Sequence, residues 1–140
     1  MNIREATEND YPELRKLYLE SRRQTFIWDN INEMTLEDFD KHTQDEFIIV
    51  AEEADTIMGF VSLYLPDNFI HNLFVHPDCS GKGVGSQLLQ AADQKMNKPM
   101  RLKCVSKNHK ALTFYERNGW KKAVEEGRPG EEKYWVMVYE

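Results

Sequence analysis

Apolar residues fall into distinct rhythms along this chain, and each rhythm predicts an element. Tyr11, Leu14, Leu17, Tyr18 and Ser21 recur at intervals of three and four, which predicts an amphipathic helix with Arg15, Lys16, Arg22 and Arg23 turned outward. Thr7 followed by Asp10 approximates a capping box at its start, behind a first strand over residues 2–6. Residues 22–34 read as a loop or broken helix, and Thr35 caps a short second helix that runs through His42. The helical spacing then gives way to apolar runs at 47–51, 57–65 and 69–75, predicted strands separated by turns at 52–56 and 66–68. Val84, Leu88, Leu89, Ala92 and Met96 restore a helical stripe over residues 84–97, which stops before Pro99. Residues 100–105 alternate Leu102 and Cys104 with Arg101 and Lys103, as a strand with one solvated side does. A last helix over 108–117 ends at Asn118-Gly119, and two late strands, 120–124 and 134–139, are joined by a loop at 127–130. The predicted order is β-α-α-β-β-β-α-β-α-β-β, a single mixed α/β domain over residues 1–140.

The passage from the third of those apolar runs into the next helix carries the most chemistry. It reads Leu73-Phe74-Val75-His76-Pro77-Asp78-Cys79-Ser80-Gly81-Lys82-Gly83-Val84-Gly85-Ser86. Gly81, Gly83 and Gly85 leave backbone N–H groups unshielded where a helix N-terminus adds partial positive charge, so the turn suits a phosphate; Lys82 adds a formal charge. A dinucleotide fold requires Gly-x-Gly-x-x-Gly, and a P-loop requires Gly-Lys followed by Ser or Thr. Here Lys82 is followed by Gly83 and the glycines alternate, so neither pattern fits.

Charge sharpens that picture. The net charge of −6 argues against a nucleic-acid binder, but the charges are segregated. Residues 95–110 hold six basic residues and no acidic one, whereas residues 29–55 hold ten acidic residues against Lys41 alone. A solvated face explains either run; a basic stretch following a phosphate-type turn on an acidic protein also suits a polyanionic ligand. Cys79 and Cys104 give neither a disulfide framework nor metal spacing, which fits a reducing compartment. With no secretory segment and no long apolar run in the sequence, the expectation is a cytoplasmic protein without membrane, nucleic-acid or metal partners.

The window Ser80-Gly81-Lys82-Gly83-Val84-Gly85 resembles the phosphate signature of the GCN5-related N-acetyltransferases, Arg or Gln, two residues, Gly, one residue, Gly or Ala, just after a strand. A second family element, Asn and Ala before an aromatic-Tyr pair and then Gly-aromatic, is matched by Asn108, Ala111, Phe114, Tyr115, Gly119 and Trp120. The resemblance implies the acetyltransferase fold, a mixed sheet splayed between its fourth and fifth strands, and acetyl-coenzyme A as acetyl donor. It implies direct transfer in a ternary complex to a primary amine, in a monomer or homodimer. By the same resemblance Leu73, Phe74 and Val75 pair with the pantetheine amides along the strand edge, and Ser80, Gly81, Lys82, Gly83, Val84, Gly85 and Ser86 wrap the pyrophosphate. Asn108 holds the pantetheine arm; a helix N-cap is the other reading of Asn108, and the two roles are compatible. Ser80 departs from the usual Arg or Gln, which bears on cofactor affinity.

Tyr115 stands at the family's position for the acid that protonates the leaving thiolate; a core tyrosine beside Phe114 is the alternative. A primary ammonium of pKa ~10.4 must also lose a proton, and many relatives carry a carboxylate where this chain has His71. Simple alternation puts His71 on the side of Leu73 and Val75, and imidazole titrates near neutrality, so His71 is the candidate base; a structural or exposed histidine is the other reading. Residues 22–34 with Phe26 and Trp28, together with Trp135 and the late loop, are the candidate acceptor pocket, although aromatics there also serve as core cover. The acidic first half hints at a cationic acceptor. A catalytically silent module of the same fold, binding coenzyme A or a protein partner, is the rival reading.

Overall fold

The order of elements follows the predicted one. The computed structural model describes residues 1–26 and 28–140. Its strands are β1 (Asn2–Glu5), β2 (Phe47–Glu53), β3 (Thr56–Tyr64), β4 (Phe69–Val75), β5 (Met100–Val105), β6 (Lys121–Glu126) and β7 (Tyr134–Tyr139). Its helices are α1 (Tyr11–Thr25), α2 (Asp38–His42), α3 (Val84–Lys95) and α4 (His109–Arg117). The strands form one seven-stranded sheet in the order β1-β2-β3-β4-β5-β7-β6.

Apolar side chains of the strands point to opposite faces, and each face recruits its own helices. Leu14, Leu17 and Tyr18 of α1 and Phe39 of α2 pack with Ile48, Val50 and Phe60 on one face. Val84, Leu88, Leu89 and Ala92 of α3, with Leu112 and Tyr115 of α4, pack with Val61, Ile70, Leu102 and Met137 on the other. All strand pairs are antiparallel except β4 with β5, and that parallel ladder has only two partner pairs, Phe69 with Arg101 and Ile70 with Leu102. Beyond Ile70 the two strands diverge. The sheet is therefore splayed between its fourth and fifth strands, as the family resemblance implied, and residues 71–75 of β4 present a backbone edge that no described strand covers.

Three details differ from the sequence reading, the first being that α2 has Glu37 rather than Thr35 as its N-cap. Arg22 is not turned outward: it is 6% exposed, one turn beyond Tyr18 on the buried stripe. Its guanidinium lies 3.9 Å from the centre of the Tyr18 ring and donates to Asp38 Oδ2 at 3.1 Å and Thr35 O at 3.3 Å. A paired, stacked guanidinium can occupy a site that a lone charge cannot, and Arg22 thereby fastens the start of α2 onto α1. The sixth strand begins at Lys121 and runs to Glu126, because Trp120 turns inward and is only 3% exposed.

Candidate active site

The edge of β4 leads directly into the glycine turn. His76 anchors the junction, with Nε2 2.9 Å from Glu20 Oε2 of α1 and Nδ1 accepting from the Asp78 N–H. Gly81 and Gly83 have φ of +81° and +79°, the left-handed region that costs a side chain about 1–2 kcal/mol. A Cβ built at either would meet nothing within 4 Å, so the turn is bare on its outer side. Gly83 is the N-cap of α3 and offers no side chain to satisfy the helix's first N–H groups. From residue 81 onward, the first backbone N–H that finds a backbone acceptor among the described residues is that of Gln87, on Gly83 O at 3.2 Å. A run of unsatisfied donors beside an open space at a helix N-terminus is the arrangement an anion requires. Gly85 serves packing as well, since a Cβ there would lie 2.9 Å from Cζ of Phe114 and hold α4 off α3.

The α4 helix closes the other side. Asn108 is its N-cap, with Oδ1 accepting from the Ala111 N–H at 3.2 Å, so the capping reading of this residue is present in the fold. Between Ser86 on α3 and His109, Lys110, Thr113, Phe114 and Arg117 on α4, with Asn118 at its C-cap, lies a groove of about 610 Å³ next to the glycine turn. The sequence reading did not single out Thr113 or Arg117; Arg117 adds a second cation beside Lys110, and only the packing of α4 on α3 reveals it. Tyr115 is 8% exposed and sits in the same cluster as Leu73 and Val75 of β4. Burial holds its phenol well above the ordinary tyrosine range, with the Cys104 thiol as neighbour, so it stays protonated at neutral pH. Burial likewise pushes the Cys104 thiol up to about 11.

His71 is placed by an irregularity that sequence alternation could not anticipate. Ser62 pairs with Asn72 but Leu63 with Ile70, so His71 is the extra residue of a β-bulge. The bulge breaks the expected alternation. Ile70, Leu73 and Val75 all pack with the α3–α4 cluster, whereas His71 lies toward α2 and the turn after it. There its Nδ1 is 2.7 Å from Oε2 of Glu46, a carboxylate whose side chain is only 7% exposed and whose Oε1 is buried with no described hydrogen-bond partner. Asp45, with φ of +64°, turns the chain immediately before Glu46, and Thr43 Oγ1 ties the same turn to Phe39 O at 2.7 Å. The Glu46 pairing raises the His71 pKa against the opposing effect of burial. Next to it Asn72 Nδ2 donates to His42 O at 3.2 Å and to Ser62 Oγ at 2.9 Å. His42 Nδ1 lies 2.6 Å from Tyr18 Oη, and partial burial lowers the His42 pKa, so this ring is neutral at pH 7. Glu46 reads in the sequence as one acid among ten; its role here comes from the turn and the bulge, which leave no local signal.

The three aromatic candidates for the acceptor pocket are not brought together. The rings of Phe26 and Trp28 are 5.5 Å apart, and Phe26 packs 6.1 Å from Phe74 on the α1 side; Trp28 Nε1 is buried without a described partner. Position 27 of that segment, Ile27, lies outside the described residues. Trp135 is across the ladder from Cys104, in the α3–α4 cluster, with Lys122 Nζ 5.1 Å from its ring centre. Among the described residues no group of three or more His, Cys, Asp or Glu is placed to hold a metal ion, and no helix is long and apolar enough to cross a membrane.

A parallel pair that parts after two rungs, an unshielded glycine turn and a capped helix beside it form one continuous candidate site. The family description "Acetyltransferase (GNAT) family" matches residues 5–120, and the chain belongs to that family. It is similar to an N-acetyltransferase of Bacillus subtilis (strain 168), YhfO, with 30% identity over 135 residues, covering 86% of this chain and 89% of that one. It is also similar to the peptidyl-lysine N-acetyltransferase YiaC of Escherichia coli (strain K12), with 29% identity over 124 residues, covering 84% of this chain and 82% of that one. Among solved structures, the PaiA N-acetyltransferase of Thermoplasma acidophilum in complex with coenzyme A superimposes with a TM-score of 0.79 at 22% identity. That likeness covers 99% of this chain and 98% of PaiA.

Proposed function

We propose that this protein transfers the acetyl group of acetyl-coenzyme A directly to a primary amine, with both substrates bound at once. The observation that carries the reading is the continuity of the free edge of β4 with the unsatisfied N–H groups at residues 81–86. The coenzyme supplies an activated thioester. Leu73, Phe74 and Val75 offer it a strand edge, as in peptide addition to a sheet. Ser80, Gly81, Lys82, Gly83, Val84, Gly85 and Ser86 offer its phosphates a cradle, and Asn108 keeps its Nδ2 available while Oδ1 caps α4. Ser80 replaces the usual Arg or Gln at the head of the turn; Lys82 within the turn, and Lys110 and Arg117 lining the groove with Ser86, offer positive charge in its place.

His71 and Tyr115 lie toward opposite faces of β4, which supports a division of labour. His71 accepts the proton of the incoming ammonium, and Tyr115 gives a hydrogen bond and then its proton to the departing thiolate. Glu46 holds His71 Nδ1 and leaves Nε2 for the acceptor. The acidic first half of the chain favours a cationic acceptor, and YiaC, a peptidyl-lysine enzyme by name, puts protein lysine in that class. Mass analysis of candidate amines after incubation with acetyl-coenzyme A tests the reading, which expects one acetyl group added. The silent-module alternative expects bound coenzyme A and no product.

The pairing with Glu46 has a pH signature. Because it raises the His71 pKa, neutral imidazole appears at higher pH than in a free histidine, and the acidic limb of kcat/KM moves up with it. In Glu46→Gln, NMR titration of His71 should give a lower pKa and the limb should move to lower pH, while the acceptor amine's own limb near ~10 stays in place. A His71 titration that overlays the wild type would remove Glu46 from the arrangement.

A further inference from the structure

The basic residues that the sequence gathers between 95 and 110 do not stay together in the fold. Lys110 lines the groove beside the glycine turn, and Lys98 pairs with Asp93 Oδ1 at 3.5 Å. Arg101 and Lys103 go elsewhere. Met100, Leu102 and Cys104 enter the core under α3 and α4, so alternation puts Arg101 and Lys103 on the opposite face of β5, in unbroken register with Val138 and Val136 of β7. The β6 strand continues that face, where Lys121 pairs with Val138, and Val124, 49% exposed, pairs with Val136. The core that α1 and α2 build on this side meets the sheet only at β2, β3 and Phe74 of β4. Val124, Val136 and Val138 therefore lie on a sheet face that no described helix covers. Arg101, Lys103 and Lys121 stand around them, and none of the three forms an ion pair with a described residue.

This surface begins beside the candidate base. Phe69, paired with Arg101, has its ring centre 6.4 Å from that of His71, and the charge of Lys103 reaches His71, where it opposes the effect of Glu46. His71 thus stands between a buried carboxylate and a basic, aliphatic face. Uncovered aliphatic surface favours contact with a partner, and unpaired cations give that contact a sign. We propose, on the basis of the acetyl-transfer reading above, that this face recognises the acceptor: a lysine on an extended protein segment whose neighbouring residues include Asp or Glu and an aliphatic side chain. Strands lie about 4.8 Å apart, so β6 is roughly 15 Å from β4, and the acids belong within about five extended residues of the lysine. An acidic segment suits this face better than a nucleic acid does, because Glu126 stands at its corner across from Tyr134 and the chain carries a net charge of −6.

Fluorescence polarisation with dye-labelled peptides tests the face without requiring turnover. Each peptide carries one central lysine, flanked by Glu and Val, by Gln and Val, or by Arg and Val. The Glu-Val peptide should bind roughly ten-fold more tightly than the Gln-Val peptide, since exposed charge pairs each contribute modestly, and the advantage should shrink in ~0.5 M salt. In acetyl transfer the same preference should appear in KM rather than in kcat. Arg101→Glu with Lys103→Glu should invert the order, so that the Arg-Val peptide binds best. Lys121→Glu, on the exposed edge strand, should reduce the preference by itself. Equal binding of the three peptides by the wild type, or an unchanged order in a double variant that circular dichroism shows to be folded, would overturn the proposal. So would tighter capture of a single-stranded oligonucleotide than of the Glu-Val peptide, or a wild-type dimer that the double variant dissociates. Selective binding of the Glu-Val peptide with no acetylation would instead contradict the transfer reading and leave the preference of the face standing.

Discussion

Tyr115→Phe should lower kcat by roughly 10²–10⁴, the usual loss for a positioned acid, while the affinity for acetyl-coenzyme A stays nearly unchanged. The phenol is buried against Cys104, and no protein hydrogen bond contributes to its shifted pKa, so removing the hydroxyl leaves no described partner unsatisfied. Stability should therefore hold or rise slightly. A free phenol of pKa ~10 is a weaker acid than a thiol at ~8.5, and burial weakens it further. In the proposed mechanism Tyr115 would therefore act first as a hydrogen-bond donor to charge developing on sulfur and would give up its proton only as the bond to sulfur is lost. Steady-state kinetics checks this: a kcat within about three-fold of wild type would return Tyr115 to a packing role.

Gly83→Val should abolish the stabilisation that acetyl-coenzyme A confers on the folded protein. For the wild type that stabilisation is about 2.7 kcal/mol at a ligand concentration one hundred times Kd, read as a rise in Tm. At φ of +79° a β-branched side chain resists the turn, and the Cβ it adds projects into space where nothing lies within 4 Å. On the proposed reading the phosphates would occupy the same volume. Circular dichroism should show the fold retained, because α3 is held by Val84, Leu88, Leu89 and Ala92 rather than by its cap. A folded Gly83→Val protein whose Tm still rises with acetyl-coenzyme A would remove the turn from phosphate binding.

The strand-turn-helix unit was legible in the sequence because its signals are local: an apolar run, alternating glycines and a stripe at helical spacing all lie within residues 69–96. The parting of β4 from β5 was reached through resemblance, since no local pattern encodes where two strands separate. Arg22 shows residue type overriding position. Its place four residues after Tyr18 puts it on the buried stripe, yet its charge argued for solvent until Asp38 and the Tyr18 ring supplied partners. His71 and Glu46 show the opposite difficulty. A one-residue bulge in β4 and a left-handed Asp45 bring them together, and both depend on how β3 and α2 pack around them.

Amine-dependent release of thiol from acetyl-coenzyme A tests the central claim most directly, followed continuously with a thiol reagent over a panel of polyamines, lysine peptides and neutral controls. The account predicts release that saturates with a cationic amine, falls by roughly 10²–10⁴ in Tyr115→Phe and yields one acetylated amine per thiol. Coenzyme binding with no amine-dependent release across the panel, or release at an equal rate from Tyr115→Phe, would contradict it.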